Sequence, residues 1–180
     1  MIPNPSHTTG PFFPEHFIRP VDADLSVDFD GKPLAGRRIV VTGTVVDALG
    51  EPVVNGILEL AQLGPNGRPG GRGRGFKGWG RTWTDGEGRY RFVTLEPGTI
   101  PGATRAPHLR FMLIGSGLMR PLVTEAFFPE HPAIASDPQL ALITDPAARA
   151  RLMLARQGET DEYRFDLVLR GPDETPFLAD

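Results

Sequence analysis

The chain has 180 residues, 39% of them hydrophobic, with a formal net charge of -3 and a pI near 5.8. That length suits one domain with a proper core, and the charge gives no global attraction to nucleic acid or to an anionic membrane. With no cysteine, disulfides, thiolate metal sites, iron–sulfur clusters and thiol nucleophiles are all excluded.

The first 35 residues are rich in proline and show no periodicity, which reads as an extended N-terminal arm (1–35) that needs a partner surface to order it. The opening "MIPNPSHTTGPFF" lacks a basic start followed by an apolar run. No stretch approaches the roughly 18 apolar residues of a membrane span, so the cytoplasm is the expected compartment.

From residue 36 to 180 glycines and prolines fall between short apolar runs, the punctuation of strands joined by turns. Arg37 to Asp47 is β-branched throughout, Leu49 to Val53 supplies a turn, and "VNGILELAQL" continues as a second strand. "GPNGRPGGRGRGFKGWGR", 64–81, reads as a long loop folded over the domain. Its Arg-Gly repeats with aromatics also suit a single-stranded RNA segment, but the acidic whole opposes that, and it lacks the Gly-Lys-Ser/Thr ending of a phosphate loop.

A turn at Asp85 to Gly88 precedes alternating Tyr90, Phe92 and Thr94, and further strands are expected at Leu109 to Ile114, Leu122 to Phe128 and Glu162 to Leu169. "SDPQLALI" and "TDPAARARLMLARQG" place Asp before Pro, a helix start, and Gly158 suits a helix end. The expected fold is all-β: a sandwich of about six strands with a helical insertion at 136–157.

Catalytic patterns are scarce. The four histidines, His7, His16, His108 and His131, form no His-x-His or His-x-x-x-His pair, and no Gly-x-Ser-x-Gly elbow is present. Taken by itself, His108 in "APHLRF" is a hydrogen-bonded side chain at a strand end. A regulatory or adhesion-type β-sandwich module, non-catalytic, would also carry "GTVVDALGEPV" followed by "TDGEGRYRF". It would not account for the "TGPFF" arm, the helical insertion and "APH" in one chain.

The ordered set "RIVVTGTVVDALGEPVVNGILELAQ", "GFKGWGRTWTDGEGRYRFVTLEPG", "APHLRF", "LVTEAFFPE" and "YRFDLVLRGPDETPF" resembles the intradiol ring-cleavage dioxygenases from about Ser6 to the C-terminus. "TGPFF", "GFKGWGR", "APH" and "GPDETPF" are similar to the alpha-type chains of two-chain members that cleave 3,4-dihydroxybenzoate.

The resemblance implies a non-haem Fe(III) held by two tyrosines and two histidines, hard anionic oxygens being suited to a ferric ion. At the matching positions this chain has Pro69, Ile100, His108 and Arg110, and its two tyrosines, Tyr90 and Tyr163, lie elsewhere. The implied chain therefore holds no metal and no catalytic residue, and a beta-type partner in a higher-order alpha–beta assembly supplies the iron. Thr8, Gly10 and Pro11 match the arm that reaches the substrate cleft. Two departures stand out: Ser116 where an arginine is expected near the cleft, and Glu125 where a basic residue is expected, which suggests a divergent assembly contact.

Overall fold

In the computed structural model residues 18–73 and 75–178 are described. Arg38–Val46 (β1), Ile57–Ala61 (β2), Trp79–Trp83 (β3), Arg89–Leu95 (β4), His108–Ile114 (β5) and Leu122–Phe127 (β6) supply the longer strands. Ala155–Arg156 (β7), Glu162–Arg164 (β8) and Leu167–Val168 (β9) close the chain. One sheet runs β4-β1-β8-β7, with β9 also paired to β1; the other runs β3-β2-β5-β6.

Period-two alternation sends Ile39, Val41, Tyr90 and Phe92 from the first sheet, and Leu58, Leu60, Leu109, Phe111 and Leu113 from the second, into one buried core. Phe111 lies at its middle, stacked on Phe165 at 5.3 Å and edge-on to Tyr90 at 5.8 Å. The all-β sandwich expected from the sequence is the architecture found.

The last strand is broken where one continuous run was expected. A Cβ on Gly43 of β1 would meet the Phe165 carbonyl oxygen at 1.9 Å, so a glycine is what lets the chain cross so close. The buried Tyr90 hydroxyl donates to that same carbonyl at 2.5 Å. Asp166 then accepts from the Thr44 amide at 2.8 Å and its hydroxyl at 2.9 Å, re-aiming the chain before β9.

The loop expected at 64–81 ends earlier, in strand β3. Trp79, Arg81 and Trp83 point outward, while Gly80 faces in; a Cβ there would sit 2.4 Å from the Leu25 Cδ1. The segment from Ile18 to residue 35, expected as part of an extended arm, packs on the sandwich itself. Leu25 is fully buried and its amide donates to the Val93 carbonyl at 2.7 Å.

The helical insertion is shorter than the 136–157 expected. After a 3-10 turn at Pro132–Ser136 come two single-turn helices, Pro138–Ala141 (α1) and Pro146–Ala150 (α2). Asp137 caps the first and Asp145 the second, each accepting two backbone N–H groups ahead of a first-turn proline. Beyond Ala150 the chain extends: the Phe127 amide donates to the Leu152 carbonyl and the Leu154 amide to that of Phe127, both at 2.8 Å. Gly158, with φ of 62°, serves the turn between β7 and β8 and ends no helix.

Candidate functional site

The strand β5 starts at His108, just after Pro107, and His108, Arg110 and Met112 share its outer face. Arg110 pairs across to Ala61 on β2 and to Glu125 on β6, and His108 pairs with Phe127. The short helices and the 97–107 loop cover this end of the sheet, forming a second core of Ala106, Phe127, Leu140 and Leu152.

Glu125 is the electrostatic centre, only 3% exposed. It accepts from Arg105 Nη2 at 2.5 Å, and its other oxygen lies 3.7 Å from His108 Nε2 and 3.9 Å from Arg110 Nη1. Arg105 also donates through Nε to Asp137 Oδ2 at 3.1 Å, and the same oxygen accepts the Ala106 amide at 2.7 Å. Asp137 thus caps α1 and ties the helical segment to the entry of β5. His108 Nδ1 is 2.8 Å from the Ala106 carbonyl, which can only accept, so Nδ1 carries a proton.

The structure brings His108, Arg110 and Ile100 to one region. Ile100, half exposed, and His108 line a small pocket of about 80 Å³ together with Leu63, Pro97, Ala103 and Pro107. Pro69 is bridged to Leu63, one residue removed from that lining. At about 80 Å³ the pocket is far below the roughly 300–1,000 Å³ of small-molecule sites, so a ring-sized ligand would need walls from elsewhere. Thr8, Gly10 and Pro11, and also His7 and His16, lie outside the described residues.

A ferric ion does not fit the residues present. Proline and isoleucine side chains offer no donor atom, and a guanidinium donates hydrogen bonds and accepts none. An ion between His108 and Glu125 would press against the cations of Arg105 and Arg110. Among the described residues no group of three or more His, Cys, Asp or Glu is placed to hold a metal.

Glu125 corrects one expectation: it is an internal counter-charge and not a surface contact. Arg105 and Asp137 escaped the sequence reading altogether. Their signal was an arginine before "APH" and an N-cap aspartate, both of which read as ordinary surface chemistry until the fold joins them.

The chain matches the dioxygenase family Dioxygenase_C over residues 8–171. It is 40% identical over 187 residues to the protocatechuate 3,4-dioxygenase beta chain of Burkholderia cepacia, covering 92% of this chain and 79% of that one. It is 32% identical over 191 residues to the alpha chain of the same species, covering 97% and 95%. The dioxygenase domain of a dioxygenase carbohydrate-binding protein fusion from Streptomyces sp. SirexAA-E shares the fold, with a TM-score of 0.65, 24% identity and coverage of 97% of this chain and 100% of that one. No helix among the described residues is long and apolar enough to cross a membrane. The greater identity to a beta chain leaves the alpha-type resemblance of the arm and terminal motifs as one line of support among two, while both relatives and the family match agree on the coarser point: the chain belongs to the intradiol ring-cleavage dioxygenases.

Proposed function

We propose that this chain is the iron-free alpha-type subunit of a protocatechuate 3,4-dioxygenase. The carrying observation is the ion-pair cluster of Arg105, Glu125 and Arg110 around His108, where Pro69 and Ile100 bring no donor. The near full-length match to an alpha chain supports the reading. On this reading a beta-type chain holds non-haem Fe(III), and the complex opens 3,4-dihydroxybenzoate between its hydroxyls with O2 to give 3-carboxy-cis,cis-muconate, both oxygen atoms entering the product. This chain walls the cleft at the subunit junction, and Thr8, Gly10 and Pro11 of its arm touch the substrate.

The test is steady-state kinetics on the coexpressed complex carrying Gly10→Val. A side chain where backbone approaches a flat ring raises KM about tenfold or more, with the iron content unchanged. An unchanged KM with Gly10→Val and Pro11→Ala together removes the arm from the cleft.

A second reading, a dioxygenase for another catechol, is favoured by Ser116. It lies exposed in the turn that follows β5, where Leu118 N donates to the Gly115 carbonyl at 3.2 Å, and it brings no cation for a substrate carboxylate. Comparing protocatechuate with unsubstituted catechol as substrates for the complex separates the two.

A further inference from the structure

A second hollow lies away from His108. A trough of about 690 Å³ opens over β4, β1 and β8 beside the β3–β4 turn, within the roughly 300–1,000 Å³ of small-molecule sites. Sheet register sets its bed. Arg91 on β4 and Arg164 on β8 flank Thr42 of β1, and Arg89 lies opposite Thr44 two residues along. Strands about 4.8 Å apart and a same-face repeat of roughly 6.6 Å bring the three arginine backbones within about 12 Å of one another. Trp83 of β3, 41% exposed, adds an indole to the lining. The turn that carries Trp83 and Arg89 is fixed by Asp85, which accepts the Glu87 amide at 2.9 Å and that of Arg89 at 2.8 Å.

The carboxylates around this bed are already committed. Asp85 is held by those amides, and Asp166 by Arg164 Nε at 2.7 Å and by Thr44. Glu87 pairs with Arg89, the two side chains 62% and 64% exposed, an exposed pair that an incoming anion displaces at little cost. Arg91 has no hydrogen-bond or ion-pair partner among the described residues. The Thr42 hydroxyl donates only at 3.5 Å, to the Tyr163 carbonyl, and is free to turn outward. The trough therefore offers one guanidinium with an empty donor fork, two more beside it, a rotatable hydroxyl and a flat aromatic wall.

We infer that this trough is a binding site for a small aromatic carboxylate, its two oxygens forked by Arg91 with Thr42 alongside and its ring against Trp83. A planar guanidinium matches the two oxygens of a carboxylate, and an exposed indole favours a ring over an aliphatic body. A phosphate ion suits the arginines but leaves Trp83 without a partner. The chemistry proposed above uses none of these residues, and His108 and Arg110 belong to the other sheet. The site needs this chain alone and does not rest on the subunit reading.

Benzoate is the probe, because it has the ring and the carboxylate but no catechol hydroxyls to chelate iron. Equilibrium dialysis of the full chain is expected to show one site with a Kd of about 1 mM or tighter. In Trp79→Phe, Trp83 is the one remaining tryptophan, and benzoate quenches its fluorescence with the same midpoint. Arg91→Gln weakens binding about tenfold, and Arg91→Lys, which keeps the charge without the fork, about threefold. Arg68→Gln, which removes an exposed arginine from the β2–β3 loop, leaves the affinity at the wild-type value. Thermal midpoints show that each variant folds, and Arg91→Lys serves where Arg91→Gln does not. Absence of saturable binding below about 10 mM, or equal affinity in wild type and both Arg91 variants, overturns the site. Displacement of benzoate by equal concentrations of acetate or inorganic phosphate overturns the aromatic class and the inference with it. A weakening by Arg68→Gln as large as that by Arg91→Gln shows attraction to net charge only and overturns it too.

Discussion

Glu125 is nearly fully buried, and such a carboxylate costs several kcal/mol to desolvate unless cations and hydrogen bonds offset that cost. Arg105, one-third exposed, and Arg110 supply the offset. Glu125→Ala leaves Arg105 facing a cavity with Asp137 as its remaining carboxylate partner, and a loss of about 2–4 kcal/mol is expected in chemical denaturation. Asp137→Ala removes a helix cap, a partner of Arg105 and the acceptor of the Ala106 amide together, for a similar loss of about 2–4 kcal/mol. Denaturant midpoints within experimental error of wild type for both variants would contradict this account of the cluster. Arg110→His restores the His-x-His spacing but no anionic oxygen. The variant is expected to bind less than a tenth of an equivalent of Fe(III), about the loss that absent hard ligands impose; iron analysis after gel filtration decides it.

The turns that join the strands set the pH window of the elements. Asp85 is held below the ordinary carboxylate range by the Arg89 and Glu87 amides, and Asp28 chiefly by that of Lys32. Asp161 is lowered by the Arg37 guanidinium. Burial pushes Asp166 up, but Arg164 and Thr44 together hold it down. A lowered folded-state pKa gives stability that is present above the unfolded value of about 4 and lost as pH falls through the folded value. Thermal midpoints should be level from about pH 8 to 5 and fall below about 4. Burial raises Tyr90, whose neutral hydroxyl donates to the Phe165 carbonyl, so stability also declines above about pH 10. A midpoint that is highest at pH 3 would contradict the carboxylate assignment, and one that does not fall above about pH 10 would contradict that of Tyr90.

Elements with an alternating apolar face were legible in the sequence: β1, β4, β5 and β6 fall within a residue or two of where the pattern places them. Strand β3 was hidden by glycines, although Trp79, Arg81 and Trp83 alternate. The alternation of Leu152 and Leu154 was masked by the helix-forming alanines before it. The break at Phe165 depends on the close approach of Gly43, a contact between residues far apart in the chain. The site was half legible for the same reason. The family resemblance pointed to Pro69, Ile100, His108 and Arg110, whereas the counter-charge role of Glu125 and Asp137 becomes visible only when β6 and α1 are placed beside them.

At the scale of the molecule, one sandwich face carries arginines and threonines and the other the half-exposed Trp79 and Trp83, and the positions that would carry iron, His108 and Arg110, lie on the second. The whole account turns on that site lacking a ferric centre of its own. The most direct measurement is iron content and protocatechuate-dependent oxygen uptake of the lone purified chain after anaerobic incubation with excess iron, beside the coexpressed complex. A colourless chain with less than about a tenth of an equivalent of iron and no uptake, beside a coloured and active complex, is the expected result. Stoichiometric iron and oxygen uptake by the lone chain would contradict the account.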